Sequence, residues 1–73
     1  MDRLQEMRKK RVQMIADMIK SAGSVNLREF SAKISVEYGI RRRTLMEYIE
    51  DLQYMKLVKV EGDTVKWVGG DRP

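Results

Sequence analysis

Three consecutive arginines, Arg41-Arg42-Arg43, are the densest chemical feature of the chain. A guanidinium group is always charged and offers a planar fork of donors that clamps a phosphate or pairs bidentately with guanine. Thr44, Met46 and Glu47 follow the triplet, and Lys59 and Lys66 add cations further on. The chain has no histidine and no cysteine. That removes the commonest general base, the commonest metal ligand and the thiolate nucleophile together. Glu47, Glu50 and Asp51 could suggest a divalent-metal site, but Glu47 and Asp51 stand four apart and read more simply as a solvated helix face. The expected chemistry is binding of a polyanion, with no catalytic centre, no metal and no cofactor. A domain this small rarely encloses a pocket for a small-molecule substrate.

Those arginines need an element to present them. Leu45, Tyr48, Ile49 and Leu52 recur at i, i+3, i+4 and i+7, the signature of one buried helical face, so the triplet stands at the opening of a helix. Cations in a first turn oppose the helix dipole. They are either a solvated helix start or a surface kept for use, and the small stability cost favours use.

Upstream, residues 3–22 read as one long helix stopped by Gly23. Val12, Ile15, Ile19 and Ala22 form one apolar stripe, and Leu4, Met7, Met14 and Met18 form a neighbouring one, with Arg11 between Met7 and Met14. The combined face is wider than one core contact needs, and residues 1–11 extend past the rest of the domain. The expectation is a homodimer formed through Leu4, Met7, Met14 and Met18. The plainer reading is adaptable methionine core. Arg8-Lys9-Lys10-Arg11 is either a solvated flank or a second phosphate contact.

Ser24-Val25-Asn26 is a short connector able to form a strand-like pair. Asn26 followed by Glu29 resembles a capping box opening a helix that carries Leu27, Phe30, Ile34 and Tyr38, with Gly39 as its stop. From Leu57 the period falls to two. Val58 through Val68 reads as a hairpin turning at Gly62-Asp63, in the type II′ pattern that wants glycine first. That register sets Val60 against Val65 and Val58 against Trp67 on an apolar face, and Lys59 against Lys66 on the other. Facing like charges cost a few tenths of a kcal/mol, which a bound phosphate would relieve. Gly69 to Pro73 reads as a frayed tail.

Seventy-three residues with 42% hydrophobic content make one domain, 1–73, without disulfide or zinc staples. The net charge of +4 is unevenly spread: residues 1–43 hold eleven Lys/Arg against five Asp/Glu, and residues 44–73 hold four against six. The basic excess therefore ends at the triplet, as an electrostatic footprint for nucleic acid would. No apolar run approaches the ~18–20 residues that span a bilayer, and no signal-peptide core appears at the start. A cytoplasmic protein with no membrane partner is expected.

The order helix, connector, helix, turn, helix, hairpin, carried by Leu27 through Val68 with Val12 to Ala22 as the first helix, resembles the winged helix-turn-helix family. It is most similar to the small stand-alone winged-helix proteins of archaea and their viruses or plasmids. The resemblance implies a mainly α domain with a small β-hairpin, residues 57–68 being the wing. It implies that the helix after the turn enters the major groove of DNA while the wing lies along the backbone. On this chain the groove-facing positions become Arg42, Arg43, Met46 and Glu47. Arg41 and Thr44 fall near phosphate, and Lys59 and Lys66 lie on the wing. Two features depart from the family pattern. Ser35 to Gly39 makes the turn region long, and the acidic body of the third helix confines contact to its first turns. The expected function is double-stranded DNA binding by a dimeric transcriptional regulator. The alternative is a winged-helix module that docks a protein partner within a larger assembly.

Overall fold

The structure, a computed structural model, describes residues 3–70, with side chains from residue 7 onward. Three helices and a three-stranded antiparallel sheet follow in the order α1 (Arg3–Ala22), β1 (Ser24–Asn26), α2 (Leu27–Tyr38), α3 (Arg42–Tyr54), β2 (Val58–Glu61) and β3 (Thr64–Trp67). This is a mainly helical, winged-helix-like layout, as the sequence leads one to expect. The connector contributes more than an isolated pair. It is an edge strand, giving the sheet order β1-β3-β2.

Each helix stops where its chemistry requires. Gly23 takes φ +82°, and its N–H donates to the Ile19 carbonyl at 2.8 Å, closing α1. Asn26 caps α2 by accepting from the Glu29 N–H at 3.1 Å. Gly39, at φ +67°, ends α2 with its N–H on the Ser35 carbonyl. The long turn region foreseen from Ser35 to Gly39 is thus an extended α2 followed by a compact bend to Arg41.

The core gathers one face of each element. Ile15, Ile19, Ile34, Leu45, Ile49 and Val65 are fully buried, and Phe30, Tyr48, Leu52 and Val58 close around them. Two residues that close their apolar stripes, Ala22 and Tyr38, are not part of it. Ala22 is exposed and Tyr38 is 44% exposed, because both fall in the last turn of their helix, past the edge of the packed layer. The hairpin register is the expected one, with Val58 opposite Trp67, Lys59 opposite Lys66 and Val60 opposite Val65. Gly62 has φ +60° and Asp63 does not share the positive φ, which distinguishes a type II′ turn from type I′. Of the residues read as a tail, Gly69 and Gly70 form hydrogen bonds with the domain, and Asp71 to Pro73 lie outside the described residues. The Gly69 N–H donates to the Leu57 carbonyl at 3.1 Å, and the Gly70 carbonyl accepts from the Trp67 indole at 2.8 Å.

No described helix is long and apolar enough to cross a membrane.

Candidate nucleic-acid interface

The opening of α3 is chemically bare except for its arginines. Arg41 occupies the cap position in an extended conformation and makes no side-chain capping bond, and the first turn holds no acid. The leading N–H groups of the helix therefore keep no side-chain acceptor. Arg41, Arg42 and Arg43 are all exposed. Among the described residues none of the three pairs with a carboxylate. Burying Leu45, Tyr48, Ile49 and Leu52 turns the opposite face outward. There Arg42, Arg43, Met46, Glu47 and Glu50 surround a shallow depression of about 510 Å3. Four of the expected positions, Arg42, Arg43, Met46 and Glu47, are thus brought together. Met46 is only half-exposed and leans on the core. Thr44 is half-buried in the same turn.

The acids of α3 are less uniform than the sequence suggests. Asp51 turns toward α1, where its Oδ2 accepts from Arg8 Nη2 at 2.7 Å. The Arg8 guanidinium also lies 5.5 Å from the centre of the Tyr48 ring, a cation–π distance. The hydrogen bond to Asp51 and the charge of that carboxylate raise the Arg8 pKa above its ordinary value. One acid is thereby neutralised within the fold, leaving Glu47 and Glu50 beside the depression. Among the described residues no three acidic side chains converge as a metal site needs.

The wing lysines have a different setting. Strand alternation sends Val58, Val65 and Trp67 inward, so Lys59 and Lys66 stand on the outer face of the sheet. Glu61 lies between them, 3.4 Å from Lys59 Nζ and 3.7 Å from Lys66 Nζ. The repulsion that a phosphate was expected to relieve is already answered by a carboxylate. Glu61 sits two residues after Lys59, on the same face, so alternation alone could have found it. The turn of the wing is also short and tethered, since the Asp63 carbonyl accepts from the Leu27 N–H at 2.6 Å.

The methionine stripe divides. Met14 and Met18 are half-buried and pack against the chain's own core, Met7 is 50% exposed, and Leu4 lies outside the described side chains. No protein-family model matches the chain, no curated protein matches it in sequence, and no solved structure matches it.

Proposed function

We propose that the chain binds double-stranded DNA through the opening of α3 and acts as a dimeric transcriptional regulator. The observation that carries this is the exposed triplet Arg41-Arg42-Arg43, free of carboxylate partners among the described residues. Three permanent cations at the start of one helix suit phosphates, and Arg42 and Arg43 flank Met46 and Glu47 where base edges would lie. Pairing of Asp51 with Arg8 supports the same reading, because it removes one negative charge from the approach of a polyanion. Lys59 and Lys66 are secondary contacts, since Glu61 offsets them.

Titration of a labelled random duplex by fluorescence anisotropy at several salt concentrations tests this. Affinity is expected to fall with salt at a log–log slope of about −0.9 for each phosphate neutralised. Arg42→Ala combined with Arg43→Ala is expected to weaken binding by roughly two log units if each cation holds one charge-assisted contact, with the thermal melt held or slightly raised. A flat salt response, or full affinity in the double variant, refutes the proposal. The second reading, docking of a protein partner, is favoured by Glu47 and Glu50 on the same depression and gains ground in that case.

A further inference from the structure

On the side of α1 away from the methionines, an open groove of about 670 Å3 runs between α1 and the segment joining α3 to β2. Its floor is apolar, made by Val12, Ala16, Leu52, Leu57 and Trp67. Tyr54 and Met55 form the rim at 90% and 52% exposure. The helical edge runs from Arg8 to Lys20, about 18 Å at the usual rise per residue. The groove edge therefore extends along more than three turns of α1.

We propose that α1 of a second copy of this chain fills the groove, antiparallel to the first about a two-fold axis at Gln13. Charge carries the choice of partner and direction. The cations at the two ends are engaged within the chain, Arg8 with Asp51 at 2.7 Å and Lys20 over the Trp67 ring at 6.0 Å. Lys9 and Asp17 remain, both exposed and without an ion-pair partner among the described residues. Within one helix they lie about 12 Å apart along the axis, too far to pair. In a two-fold contact residue i meets j and j meets i. An axis at Gln13, close to the middle of the groove edge, sets Lys9 against Asp17 of the second copy, twice over. A parallel pairing would set Lys9 against Lys9 and Asp17 against Asp17. Gln13 meets its own symmetry mate, and an amide both donates and accepts. Its Nε2 already donates to Asp17 Oδ1 at 3.0 Å, which orients that carboxylate.

This deepens the dimeric part of the proposed function and moves the contact from the methionine side of α1 to the groove side. It does not depend on DNA. Sedimentation velocity of the full chain over a range of concentrations, without DNA, tests it. The wild type is expected to dimerise. Lys9→Glu alone and Asp17→Lys alone should each weaken association roughly tenfold, since two attractive pairs become two repulsive ones. The double variant, Lys9→Glu with Asp17→Lys, should return it to within about twofold of the wild type, because the swap restores the same pairs. Circular dichroism checks that each variant folds. A monomeric wild type overturns both the groove contact and the dimer. A dimer indifferent to the single changes, or one the double change fails to restore, overturns the groove contact alone. Its loss on Met7→Asp would then return the interface to the methionine side.

Discussion

Arg8 and Asp51 are separated by 43 residues in sequence, yet their side chains meet at 2.7 Å. Nothing local in the chain announces such a pair, which is why the acids of α3 look like one continuous repulsive face until the fold is known. Replacing Arg8 with alanine is expected to lower stability slightly, an effect that added salt erases, as for other exposed ion pairs. The same change uncovers Asp51, so affinity for a duplex should fall several-fold. Adding Asp51→Asn to Arg8→Ala should recover it, and anisotropy titration of the three variants checks this. Glu61→Gln is the converse case. It frees Lys59 and Lys66, so duplex affinity should rise and the salt slope steepen by up to about two phosphates if the wing touches the backbone. Lys56 holds φ +62° without being glycine. That left-handed conformation costs about 1 kcal/mol, so Lys56→Gly should raise the unfolding free energy read from a urea melt by about that amount or less.

At the scale of the elements, most boundaries were legible because each has a local chemical cause. Gly23 and Gly39 stop α1 and α2, and Asn26 starts α2 through its bond to Glu29. Removing that cap with Asn26→Ala is expected to cost about 1 kcal/mol by denaturant melt. Leu45, at 0% exposure, anchors the helix that presents the arginines. Leu45→Ala should cost about 2–5 kcal/mol, a large share of the stability of so small a domain. What periodicity could not show is where the packed layer ends. Ala22 and Tyr38 continue their stripes in sequence but project beyond it, since a helix keeps its period whether or not anything covers it. Gly69 shows the opposite failure. In composition it belongs to a tail, but a methyl group there would come within 2.6 Å of Leu57 Cδ2 and 3.3 Å of the Leu57 Cα. Gly69→Ala is therefore expected to destabilise the closing of β3 against Leu57.

For the whole molecule, the element order and hairpin register were legible, while the grouping of charges was not. Pattern fixes which face of a strand or helix looks outward, and only packing decides which outward faces adjoin. The arginines of α3 gather with Met46 and Glu47, whereas Lys59 and Lys66 gather around Glu61 on the back of the sheet. A two-fold dimer would present two α3 openings, and DNA half-sites about one helical turn apart are then expected in a footprint. The hydrogen bond that the Leu27 N–H donates to the Asp63 carbonyl, at 2.6 Å, sets a limit on what this architecture can become. A longer hairpin finger, the simplest way to gain reach along a nucleic acid, would carry Asp63 away and leave the leading amide of α2 without its acceptor. Reach and anchorage are opposed at that single bond, so any variant that lengthens the loop must also supply another acceptor for the Leu27 N–H.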